Sequence, residues 1–211
     1  MRLGEIEVHL IGDGTFRLDG GAMFGVIPRP LWEKKSPPDD RNRILLGMNI
    51  LLIRASGKTI LVETGGGDKW GEKQNAIYLF ESSGRLLERL AKAGVTPEQI
   101  DIVINTHLHF DHCGWNTRVV NGIAVPTFPN ARYIVQRKEF EHACAPTERD
   151  RASYFPDNFM PMQKSRQWDF LDSDAEILPG ISVVVVAGHI NDMQCVKITG
   201  GGQTIFFVAD L

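Results

Sequence analysis

Asn105-Thr106-His107-Leu108-His109-Phe110-Asp111-His112 brings three imidazoles and one carboxylate together directly after the apolar positions Ile100, Ile102, Val103 and Ile104. If Ile100 to Thr106 continues as a strand, side chains at i and i+2 leave the same face, so His107 and His109 converge on one cation. Asp111 and His112 then fall where the chain turns at the strand end, where neighbouring side chains point at a second cation. Imidazole nitrogens and a carboxylate suit a borderline divalent ion such as zinc. The competing reading is a surface turn with Asp111 as a helix cap; the density of donors after an apolar strand weighs against it.

Further strands with polar ends surround this stretch. Ile50 to Arg54 and Thr59 to Glu63 form a strand pair that ends in Glu63-Thr64-Gly65. Ile181 to Ala187 is a β-branched run leading into Gly188-His189, and Thr204 to Ala209 leads into Asp210. Between them, Leu86, Leu87, Leu90 and Ala91 stand at helical spacing within Arg85 to Ala93, with Gly94 placed to stop the helix. Thr96-Pro97-Glu98-Gln99 has the chemistry of a capped turn. Ala131 to Gln136 reads as a strand and Lys138 to Ala143 as a short helix. Near the start, Glu5 to Ile11 reads as a strand and Gly12-Asp13-Gly14 as the turn that ends it. Gly20 to Arg43, with four prolines, is expected to be a long loop, either a substrate lid or dimer arm, or a surface excursion whose aromatics pack down. Gly65-Gly66-Gly67 lacks the Lys-Ser/Thr of a phosphate loop and reads as a flexible turn beside the site. Periodicity alone assigns the α/β class.

These motifs, in this order and each at a strand end, resemble those of the metallo-β-lactamase superfamily of metallohydrolases. His107 to Asn116 and Ala131 to Ala143 resemble the acyl-homoserine-lactonase and organophosphate-hydrolase branch. The resemblance implies a four-layer αβ/βα sandwich, two mixed sheets face to face with helices outside, formed by one domain over residues 1–211. It implies two divalent cations, expected to be zinc. His107, His109 and His189 would bind the first, Asp111 and His112 the second, and Asp210 would bridge both. Asp111 would also be catalytic, orienting the nucleophile and passing its proton to the leaving group, and Glu63 would fix a ligand imidazole. The implied activity is hydrolysis of a small ester-like substrate, with a lactone favoured over an organophosphate or thioester. Two alternatives stay open: an iron-dependent oxidoreductase such as a sulfur dioxygenase on the same fold, and a non-catalytic metal-binding module.

The chain departs from the family pattern in three places. Glu63 stands where the family commonly has Asp, and Met193 stands where it often has a second, non-ligating histidine. The family also supplies a last histidine to the second metal beyond the bridging aspartate, whereas this chain ends at Leu211. The expectation is a longer protein whose remaining strands, helix and final histidine follow Leu211.

The 211 residues, 43% of them apolar, are enough for a buried core, and a net charge of −3 gives no general attraction to nucleic acid or anionic membranes. The N-terminus lacks a secretory pattern and no apolar run approaches the ~18 residues of a membrane span. Three cysteines make no disulfide framework, so a cytoplasmic protein is expected, with a homodimer possible. Cys113 is read as a small buried thiol in preference to a ligand or redox group. His9 and His142 are read as ordinary structural or surface residues.

Overall fold

The computed structural model describes residues 1–80 and 84–211. In chain order the strands are β1 (Arg2–Leu3), β2 (Ile6–Asp19), β3 (Arg43–Ala55), β4 (Lys58–Val62), β5 (Ile102–Ile104), β6 (Thr117–Val120), β7 (Ile123–Pro126), β8 (Arg132–Gln136), β9 (Trp168–Leu171), β10 (Ala175–Leu178), β11 (Ile181–Val185), β12 (Gln194–Gly200) and β13 (Gln203–Phe207). The helices are α1 (Gly20–Phe24), α2 (Arg29–Trp32), α3 (Glu72–Tyr78), α4 (Leu86–Lys92), α5 (Phe110–Cys113), α6 (Arg137–Cys144) and α7 (Met160–Ser165). One sheet runs β1-β2-β3-β4-β5-β8-β9 and a second runs β10-β11-β12-β13, with β6-β7 as a separate hairpin.

Burial on both faces organises the larger sheet. In β3, Leu51 and Ile53 face the second sheet and pack with Ile104, Ile181, Val183, Val196 and Ile198. Ile50 and Leu52, on the opposite face, pack with Leu86 and Leu90 of α4 and with Met162 of α7. Strands covered on both sides tolerate no polar face, so β3, β4 and β5 read as continuous apolar runs. Helices therefore lie outside the first sheet and the two sheets pack face to face, the mixed α/β sandwich expected; the second sheet is a correction, being antiparallel throughout where a mixed one was expected. The outer face of the second sheet exposes Lys197, Thr199 and Phe206 among the described residues.

Three local expectations are corrected. Gly12-Asp13-Gly14 does not end the first strand; Gly12 pairs with Asn49 and Thr15 with Gly47, so Asp13 and Gly14 oppose Met48 alone in a bulge and β2 continues to Asp19. The segment after it is not one long loop. It holds α1 and α2, with Trp32 buried and stacked on Phe24 at a centroid distance of 4.8 Å, while Val26 is 96% exposed. Finally, β5 is only three residues long. Pro97–Gln99 forms a 3₁₀ turn closed by a capping box, with the Thr96 N–H donating to Gln99 Oε1 at 2.8 Å, and the strand starts after it. The chain leaves the strand at Asn105 because that residue and Thr106 carry buried polar groups whose partners lie outside the ladder.

Candidate metal centre

His107 and His109 thus sit in a loop, and strand alternation does not bring them together. Backbone anchoring does. The Thr106 N–H donates to Glu63 Oε1 (2.7 Å) and the Leu108 N–H to Glu139 Oε1 (2.8 Å), fixing the peptides before His107 and His109. His109 is the residue before α5, whose single turn presents Asp111 and His112. That turn is laced to the β4 end: the Thr64 N–H donates to the His112 carbonyl (2.8 Å) and the Gly114 N–H to the Gly65 carbonyl (2.6 Å). Beneath it, Asn116 Nδ2 donates to Asn105 Oδ1 (2.8 Å), Thr64 Oγ1 to Asn116 Oδ1 (2.9 Å) and Gln194 Nε2 to the Asn105 carbonyl (2.8 Å). Such a satisfied buried network rigidifies what it supports.

The second sheet supplies the other donors. His189 lies between β11 and β12, and Asp210 follows β13. His109 Nδ1 and His189 Nε2 approach to 3.0 Å. Asp210 reaches in both directions, with Oδ1 3.2 Å from His112 Nε2 and Oδ2 3.6 Å from His189 Nε2. Asp111 Oδ2 is 3.3 Å from His112 Nε2, and Glu63 Oε2 is 3.4 Å from His112 Nδ1. Two donor sets, His107–His109–His189 and His107–His112–Asp210, each lie within 4.8 Å internally. Asp111 falls outside both sets but touches His112. All six residues expected at the site meet in one place.

The electrostatics divide the cluster. Burial, with the neighbouring imidazoles adding to it, pushes His109 down to about 4 and His107 well below the ordinary 6.5, so both rings are neutral at pH 7 with lone pairs available. His112 goes the other way: burial disfavours its charge, but Asp111 and Glu63 outweigh that and hold it well above its usual range. Asp210 is likewise opposed by burial, yet His112 brings it down to about 2. An ionised Asp210 beside neutral, buried His107 and His109 is a donor set suited to positive charge. Buried His107 Nε2, His109 Nε2 and Glu63 Oε2 have no hydrogen-bond partner. Buried polar atoms without partners are rare in folded proteins. The cluster of free nitrogens and carboxylates fits divalent cations.

Several supports are not readable from motifs. Asp13 is fully buried in the β2 bulge and accepts from the Gly66 and Gly67 N–H groups (3.1 and 3.0 Å), the Leu86 N–H (2.8 Å) and the Trp115 indole (3.0 Å). It thereby holds the Gly65-Gly66-Gly67 segment, which is buried and tightly packed; the expected flexible turn is corrected. A Cβ on Gly114 would come within 2.1 Å of the Gly66 backbone. Glu63 itself adopts φ 68°, in the left-handed region uncommon outside glycine. Glu139 is buried among Leu108 and Tyr154, and burial pushes its carboxyl up to about 8. The hint for Asp13 was the apolar alternation resuming at Phe16 and Leu18, which marks a strand that continues past Gly14; Glu139 had no such signal.

The Cys113 thiol is buried, donates to the Leu108 carbonyl at 3.3 Å and belongs to neither donor set. His9 meets Glu7 and His142 meets Asp150, both away from the cluster. Met193 is buried. No helix among the described residues is long and apolar enough to cross a membrane.

A mixed sheet packed on an antiparallel one, with histidines and carboxylates gathered at one strand-end edge, defines a metallohydrolase-type sandwich. Residues 44–211 match the family model described as the metallo-beta-lactamase superfamily, and the chain belongs to that superfamily. An N-acyl homoserine lactonase of Bacillus cereus is 26% identical over 148 residues, covering 65% of this chain and 52% of the lactonase, so the chain spans about half of that relative's length. A solved structure described as a probable metal-dependent hydrolase from Staphylococcus aureus superposes with a TM-score of 0.90 at 30% identity, over 98% of this chain and 73% of that one. AidC, described as a dizinc quorum-quenching lactonase in complex with a product, shares the fold with a TM-score of 0.74 at 21% identity, over 98% of this chain and 71% of its own.

Proposed function

We propose that this protein is a metal-dependent hydrolase of small ester-like substrates, with a lactone favoured. In this reading His107, His109 and His189 hold one zinc ion, Asp111 and His112 take part in holding a second, and Asp210 serves both. The carrying observation is the pair of donor sets, His107–His109–His189 and His107–His112–Asp210, that share His107, whose buried Nε2 has no hydrogen-bond partner. Bound divalent cations would supply Lewis acidity and bring the pKa of a bound water to near neutral. Asp111, 16% exposed at the cleft edge, orients the attacking water and carries its proton to the leaving oxygen. Glu63 keeps His112 oriented.

The lactone preference draws support from the cleft above the cluster. This cavity of about 540 Å³ is lined by Asp111, His112, His189 and Asp210 on one side. Phe16, Leu46, Met48 and Phe207 provide apolar walls, with no Lys or Arg among the described lining residues. Apolar walls beside the donor cluster suit an uncharged ester with an apolar arm. The test is to strip metal with a chelator, restore zinc and assay a panel of lactones and aryl esters. Zinc-dependent lactone turnover with about two zinc per chain is expected. Failure on every member of the panel would overturn the reading.

A further inference from the structure

Leu108 separates the two histidines of the His-x-His pair, and both of its backbone polar groups are committed. Its N–H donates to Glu139 Oε1 at 2.8 Å, and its carbonyl accepts the Cys113 thiol at 3.3 Å. The same Glu139 carboxyl accepts the Tyr154 hydroxyl, at 3.2 Å to Oε1 and 3.4 Å to Oε2. The Tyr154 ring lies edge-on to His109, with centroids 4.8 Å apart and an interplanar angle of 69°. One side chain is thus bonded both to the peptide between the histidines and to the ring that supports the second of them. Glu139 is 1% exposed and stands in the first turn of α6, directly after β8, the parallel neighbour of β5. Burying a carboxyl there is costly, and an apolar residue would fill the space without that cost. Its contacts all lead to the donor loop.

We infer that Glu139 is a positioning residue of the metal centre, setting the relative orientation of His107 and His109 through the Leu108 peptide and Tyr154. This rests on the metal-binding reading above. What Glu139 supplies is an acceptor oxygen at the right reach, and not a charge. Glutamine keeps that oxygen. Aspartate keeps the charge but falls one methylene short, and alanine removes both.

The experiment loads wild-type protein and the variants Glu139→Gln, Glu139→Asp and Glu139→Ala with Co²⁺ as a spectroscopic probe, measuring affinity and the visible ligand-field spectrum, with the melting temperature of each metal-free protein alongside. Glu139→Gln should match wild type in both spectrum and affinity. Glu139→Asp and Glu139→Ala should show an altered spectrum and bind about 10- to 100-fold more weakly, the usual effect of losing a partner behind a metal ligand. Should alanine fail to fold, the aspartate and glutamine variants carry the comparison. An aspartate variant that behaves as wild type while glutamine does not overturns the inference in favour of a charge effect. Variants that melt lower yet keep the wild-type spectrum and affinity overturn it in favour of a purely structural role. A wild type that takes up no cobalt overturns this inference together with the metal-binding reading.

Discussion

Replacing Asp13 by Asn separates two opposing effects at the residue that organises the floor of the site. The carboxylate accepts from the Gly66, Gly67 and Leu86 N–H groups and the Trp115 indole, each of which favours its ionised form. Complete burial opposes ionisation and wins, pushing the group from 3.8 up to about 6. The sign follows from proton counting. Between 3.8 and about 6 the folded chain holds the proton and the unfolded chain does not, so stability is fully present below 3.8 and is lost as pH rises through about 6. That interval is worth about 3 kcal/mol at about 1.4 kcal/mol per pH unit. Asparagine does not titrate, and its amide nitrogen faces donors that previously met an oxygen, at a cost of about 1–3 kcal/mol for buried groups left unpaired. The variant should therefore be clearly less stable than wild type at pH 4.5, with the gap narrowing by about 2 kcal/mol, the part of the interval above pH 4.5, or reversing, by pH 7. Urea denaturation of both proteins in chelator at a series of pH values measures this, because the histidines common to both cancel in the difference. A gap that is flat or that widens with rising pH would refute the reasoning, since it would mean that the donors outweigh burial.

Asp111→Asn should lower zinc-dependent turnover by about 10²- to 10⁴-fold while leaving the far-ultraviolet circular dichroism unchanged, as expected for loss of a proton carrier; undiminished kcat would remove Asp111 from catalysis. Glu63→Ala should weaken zinc affinity about 10- to 100-fold through its contacts with His112 and the Thr106 N–H, measured by competition with a chromogenic chelator. Gly114→Ala drives a methyl against the Gly66 backbone and should cost about 3 kcal/mol or more in thermal or urea unfolding, with no compensating space to relax into. A near-wild-type melting temperature for that variant would contradict the close approach of the two segments.

What could be read from residues alone depended on whether the signal was local. The apolar runs of β3, β4, β5 and β11 announce themselves because both faces of the first sheet, and the inner face of the second, need aliphatic side chains. The helix over Leu86 to Leu90 and the Thr96–Gln99 capping box are likewise local chemistry, and both formed where expected. The convergence of His107, His109, His112, His189 and Asp210 was legible because each stands at a strand end and the motif order is specific. Its cause is not strand alternation but peptide anchoring by Glu63 and Glu139. Those anchors, like Asp13, act across dozens of residues of sequence, and a single buried carboxyl carries no periodic signature. Gly12-Asp13-Gly14 fits a turn and a bulge alike, and only the pairing with β3 decides between them.

His189 and Asp210 come from the second sheet, while the other donors come from loops of the first. The Gln194 N–H, donating to the Thr106 carbonyl at 3.0 Å, already ties the two sheets beside the cluster. A cation gripped across that seam is a rivet, and its binding energy is also docking energy for the sheets. Affinity for metal and packing of the sandwich then form one equilibrium. A substitution deep between the sheets, at Val183 or Ile104 for instance, would be felt as a looser metal even though it touches no ligand. Conversely, a chelator would act as a mild, specific denaturant of the seam.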